Sequence, residues 1–285
     1  MERYLIPEQN GHKILHQPPQ IATIVGVSSF TDLLSLKIER AAKHIQAIKN
    51  AIATDAARHG DAFIVESDGK EAVDLPEPDP EIAIDAGEFI YQMRSSLDHL
   101  AFDLVKRNKS GIALPAGWED DCKFPIWTKP LEPGKTPPLP YGVFKYLPGI
   151  PHQSHAIIES SQPYYPRNTG SINNCLRFLN NLSNIDKHRR LALTRSRGKV
   201  SHRVMYKSGI TGSSLVTLDQ GAEVPPPYEG KNDPIVEVKR NATLTVSFAE
   251  QDALGDATSV PLEYLLELIF ADVLNVIDKL RPFLN

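Results

Sequence analysis

Arg94, Asp98 and His99 fall inside one helix-patterned run, GEFIYQMRSSLDHLAFDLV, residues 87–105. These residue types have chemistry available to them. An Arg offers a fixed, forked cation that grips anionic oxygens, and a His offers a group that titrates near neutrality and moves protons. A second polar run, NNLSNIDKHRR, brings Asn184, Asp186, His188 and Arg189. Each set is either a site or the polar edge of a helix, and the elements that carry them decide which.

At about 100° per residue, Ala86, Ile90, Met93, Leu97, Leu100, Ala101 and Leu104 form one apolar stripe centred near Leu97. Arg94 lies about 60° from that centre and Asp98 about 100°, on the same side. Both border the core. His99 lies about 160° away, on a side it shares with Tyr91 and Phe102. In the second run, Asp186 and Arg189 lie about 40° and about 20° from a stripe centred on Leu182. Isolated charges there would cost several kcal/mol each, so the expectation is a cross-helix network of Arg94, Asp98, Asp186 and Arg189. Asn184 and His188 share another face at an i,i+4 spacing. As a purely architectural network these residues would fix helix register; as a site they would bind or transform a ligand.

The elements that position them read as α+β. Helices are expected at about 31–58, 80–108, 171–195 and 261–284, with Thr31 as an N-cap, Gly60 as a stop, and Pro80 and Pro261 in first turns. Asp68-Gly69 between two β-prone runs predicts a hairpin. CKFPIW reads as a short buried strand, and Ser154 to Ser161 as a short helix. From about 199 to 250 the period changes to two, which predicts an antiparallel meander built from HRVMYKS, SLVTL, PIVEVKR and TLTVSFA. Residues 1–25 read as an irregular arm and 26–285 as a single domain, a four-helix bundle with the sheet at one side or end.

Composition narrows the function classes. A formal net charge of -4 excludes the strongly basic character of a dedicated nucleic-acid binder. Locally, however, Lys187, Arg189, Arg190, Arg195, Arg197, Lys199, Arg203 and Lys207 crowd a stretch whose one acid is Asp186. Such a cluster either neutralises phosphates or complements a helix C-terminus and a solvated strand. The two Cys, Cys122 and Cys175, have no metal-ligand spacing, and the longest apolar stretch is broken by acids at helical intervals. A cytoplasmic protein without membrane contact, metal or cofactor is expected. No Gly-rich phosphate loop or nucleophile elbow is present.

Through RSSLDHLA, FPI (Phe124 to Ile126), QPY (Gln162 to Tyr164) and NIDKHR, the chain resembles a family of uncharacterised bacterial proteins, a likeness that implies no activity. Arg94, four residues and His99 also resemble the Arg, four to six residues, His signature of the HEPN superfamily, helical bundles that include dimeric, metal-independent ribonucleases. That resemblance implies Arg94 as the phosphate-stabilising cation and His99 as the proton-transfer group. Ser95 departs from the Asn, Asp or His that active members favour after the Arg. Arg195 and Arg197 satisfy the same spacing to His202.

The leading expectation is therefore an RNA-binding or RNA-cleaving HEPN-like protein with Arg94 and His99 as the candidate catalytic pair. The alternatives are a non-catalytic interaction module of a bacterial defence or toxin and antitoxin system, or a small-molecule or metal-binding bundle. Tyr91 and Phe102 on the outer side of the second helix predict a homodimer across that surface, unless the Pro-rich segment from Gly111 to Pro151 folds over them.

Overall fold

In the computed structural model the described residues are 32–59, 64–67, 70–73, 75–107, 111, 113–127, 147–165, 175–218, 222–225 and 234–284. The expected arm at 1–25, the N-cap Thr31 and the Asp68-Gly69 turn lie outside them. Helix α1 (Asp32–His59) buries Leu34, Ile38, Ala41, Ile45 and Ile48 at alternating three- and four-residue steps. Asp55, seven residues beyond Ile48, continues that stripe and is itself buried. Strands β1 (Ile64–Ser67) and β2 (Lys70–Val73) pair antiparallel with Ser67 opposite Lys70, the register a two-residue connection imposes.

Helix α2 (Pro80–Lys106) begins where the Asp79 carboxylate accepts the Glu81 N–H at 3.0 Å and Pro80 occupies the first turn. Its apolar stripe is buried as the periodicity predicts, and Phe89 and Val105 are buried as well. The extra burial follows from position: α2 packs against α1, α5 (Cys175–Asp186) and α7 (Leu262–Leu280). Between α2 and α5 come the single turn α3 (Trp118–Asp121) and α4 (His152–Ser160).

Strands β3 (Leu193–Tyr206), β4 (Thr211–Leu218) and β5 (Ile235–Phe248) make one antiparallel sheet. Its order is β4-β3-β5, not that of a meander, because β5 passes β4 to lie beside β3. PIVEVKR and TLTVSFA are the two halves of one strand, β5. After it, α6 (Gln251–Leu254) and a 3-10 turn lead into α7. One apolar core joins α1, α2, α4, α5 and α7 to Val246 and Phe248 of β5, and a smaller cluster gathers Val200, Leu218 and Val224. The α+β class and the antiparallel pairing stand as expected.

Two expected boundaries move. The third helix ends at Asp186, not near Arg195, and β3 starts at Leu193, not near 199. The cause is tertiary. Buried Glu250, at the end of β5, accepts from both terminal nitrogens of Arg189 at 2.9 and 2.7 Å and from the Ala192 N–H at 2.9 Å, turning the chain out of the helix. CKFPIW also differs: residues 122–127 carry no regular secondary structure and no ladder.

The register of β3 against β5 shifts between Arg195 and Arg197. This bulge puts Arg195 on the helix-facing side of the sheet, where it forms a buried ion pair with Asp55 of α1. The pair fastens the sheet to the helices.

On α7, burial lifts the Asp272 carboxyl to about 6, with Lys279 opposing the rise. A carboxyl raised that far from an ordinary 3.8 destabilises the fold, when ionised, by about 3 kcal/mol. The sign follows: the penalty is fully present above pH 6 and is relieved as pH falls toward 4. Asp272→Asn is expected to raise the urea midpoint at pH 7.5, and the advantage over the parent should shrink by pH 4.5. Equal gains at both pH values would refute the assignment.

Candidate functional site

Arg94 and Asp98 point at the backbone of the irregular segment 122–127. Arg94 Nη2 donates to the Phe124 carbonyl at 2.8 Å and to Asp98 Oδ1 at 3.0 Å. The Phe124 N–H donates back to the same Asp98 Oδ1 at 3.0 Å. One turn of α2 thus supplies a donor and an acceptor to both polar groups of Phe124, which is what a neighbouring strand would otherwise do. Three residues on, Gln162 repeats the device. Its Nε2 donates to the Pro125 carbonyl at 3.0 Å and the Ile158 carbonyl at 2.9 Å, and its Oε1 accepts the Trp127 N–H at 2.9 Å. Gln162 and the Phe124 side chain are both wholly buried. RSSLDHLA, FPI and QPY, far apart in sequence, meet here as one clamp.

The clamp limits what Arg94 has left for a ligand. Its side chain is 13% exposed against 35% for Asp98. Burial lowers its pKa and the Asp98 carboxylate opposes that; a guanidinium stays cationic regardless. Nη1 is buried and has no hydrogen-bond partner among the described residues. Cys122, near Asp98, is a poor nucleophile: burial, with Asp98 adding to it, pushes its thiol up to about 11.

His99 belongs to different surroundings. Burial and Lys37 of α1 lower its pKa, with Asp103 and Asp98 opposing. Five positions after Arg94, it diverges from it by about 140° around α2. Its aromatic neighbours also find partners within the chain. Phe102 stacks on Trp118 with centroids 5.1 Å apart, and Lys37 Nζ lies 5.5 Å from the centre of the Tyr91 ring. The homodimer surface expected on this side loses Phe102 to the segment after Gly111; Tyr91 stays exposed.

The expected cross-helix network does not form. The Asp186 carboxylate packs on the α2 backbone at Gly87, where a Cβ would stand 2.6 Å from its Oδ1. Gly87 is about 16 Å along α2 from Asp98. The helical wheel gave faces correctly but carries no information on height, and α5 crosses α2 near its start. Burial raises the Asp186 pKa, and Glu88 adds to the rise. Asn184 and His188 are exposed, and Arg189 is held by Glu250.

The basic cluster divides in the same way. Arg195 and Arg189 serve ion pairs, whereas Lys187, Arg190, Arg203 and Lys207 are exposed and form no ion pair among the described residues. His202, the other candidate His of the Arg-to-His spacing, is buried in the sheet. Among the described residues no group of three or more metal-ligating side chains gathers, and no helix is long and apolar enough to cross a membrane.

Sequence reasoning missed Gln162 as a clamp, Glu250 as the helix-ending carboxylate and the Asp55 to Arg195 pair. Asp55 had a signal, a carboxylate in phase with the α1 stripe; Glu250 had none. No family model, curated protein or solved structure matches the chain.

Proposed function

We propose that this chain is an RNA-binding protein on a HEPN-like helical layer and that it does not cut RNA. The layer is supported by the shared core of α1, α2, α5 and α7. The observation that carries the binding half is the exposure of Lys187, Arg190, Arg203 and Lys207 without ion-pair partners among the described residues. Exposed cations of this kind neutralise phosphates and release counterions even on an acidic protein. The non-catalytic half rests on Arg94. To meet a phosphate its Nη2 would have to leave Phe124 and Asp98, and His99 stands on another side of the helix.

Single-stranded RNA is expected to bind in excess EDTA and to remain intact. Arg203→Glu should weaken binding and reduce the slope of log affinity against log salt by about 1. Unchanged affinity in Arg203→Glu combined with Arg190→Glu would refute the binding surface. A second reading, metal-independent cleavage by Arg94 and His99, is favoured by Arg94 Nη1, which has no hydrogen-bond partner among the described residues. RNA cut in EDTA by the parent and spared by His99→Ala would establish it in place of the first.

A further inference from the structure

Strand β5 closes one side of the sheet, and among the described residues no strand occupies its outer edge. A long open edge presents a row of backbone N–H and C=O groups to any chain able to pair with it. Val236, Glu237, Val238 and Lys239 are all exposed there. We propose that this edge pairs with β5 of a second copy of the chain, antiparallel and centred on Val238. The inference stands apart from the RNA reading.

The charges select both the partner and the register. Glu237 and Lys239 lie two residues apart, and their side chains touch at 3.3 Å, so both occupy one face of the sheet. A two-fold axis perpendicular to the sheet keeps that face common to both copies, so residues directly opposite must share it. Centring on Val238 sets Glu237 opposite the partner's Lys239 and Lys239 opposite the partner's Glu237. Centring on Glu237 or on Lys239 instead sets like charges opposite each other. In the chain's own register Lys239, which touches Glu237, also stands directly opposite Arg203 of β3, so two cations lie side by side and a second acid would be favourable there. The partner's Glu237 would flank Lys239 on its other side. Strand β4, at the opposite edge, contains no charged residue, so nothing there specifies a self-pairing. The α2 surface is less suited to a second copy, because Phe102 already stacks on Trp118.

Charge reversal gives a test that includes its own control for folding. Light scattering at about 100 μM should show the parent as a dimer. Glu237→Lys alone opposes only cations, and Lys239→Glu alone opposes only anions. Each should be a folded monomer, with self-association weakened roughly 100-fold. An equimolar mixture of the two variants restores both opposite-charge pairs and should dimerise again. A monomeric parent, single variants that still dimerise, or a mixture that stays monomeric would each overturn the proposal.

Discussion

Asp55→Ala is expected to cost about 3–5 kcal/mol of folding stability. The substitution strands the Arg195 guanidinium, whose side chain is only 1% exposed and whose Nε and Nη1 have no hydrogen-bond partner among the described residues. A buried cation without its counter-charge meets the full desolvation penalty. Attraction within the intact pair only offsets that penalty, so replacing both partners should cost much less than replacing one. Urea unfolding of Asp55→Ala, Arg195→Met and the double variant would check this. An Asp55→Ala midpoint equal to that of the parent would contradict the account, as would strictly additive losses. The consequence reaches beyond stability, because this pair joins α1 to the sheet that carries Arg203 and the β5 edge.

Gln162→Ala comes next, at about 3 kcal/mol. One amide serves the Pro125 and Ile158 carbonyls and the Trp127 N–H, in a place where Gln162 itself is wholly enclosed. Truncation leaves three backbone groups without the partner they have, and water has little room to replace it. Asp98→Ala takes the acceptor from Arg94 and from the Phe124 N–H, but Asp98 is 35% exposed and Arg94 keeps the Phe124 carbonyl, so its cost should be smaller. Thermal or urea unfolding that ranked Asp98→Ala above Gln162→Ala would show that the segment is held mainly from α2.

Periodicity made the helices legible because burial on one face is a local property of sequence. Leu34 to Ile48, and the stripe through Leu97, needed no knowledge of neighbours. The end of α5 was not legible. Leu182, Ile185 and Leu193 fit a continued helix equally well, and the turn depends on Glu250, some sixty residues later. Sheet order failed for the same reason: alternation marks a strand but not its neighbour. In the site, the charges near the core edge were correctly seen as needing partners. Arg94 and Asp98 pair with each other and with the backbone of Phe124, Arg189 pairs with Glu250, and Asp186 packs beside Gly87 at another height on α2, none of which a wheel projection shows. RSSLDHLA, FPI and QPY meet in the clamp, a contact between distant segments that no local periodicity shows.

Amide hydrogen exchange at Phe124 is the most direct measurement of the central claim, that Arg94 and Asp98 serve the 122–127 segment. In the parent, the Phe124 and Trp127 amides should exchange at least about 1,000-fold more slowly than in an unstructured peptide. Asp98→Ala should release Phe124 while Trp127, held by Gln162, keeps its protection. A Phe124 amide that exchanges at the unstructured rate in the parent would contradict the account and leave Arg94 and Asp98 free for a ligand.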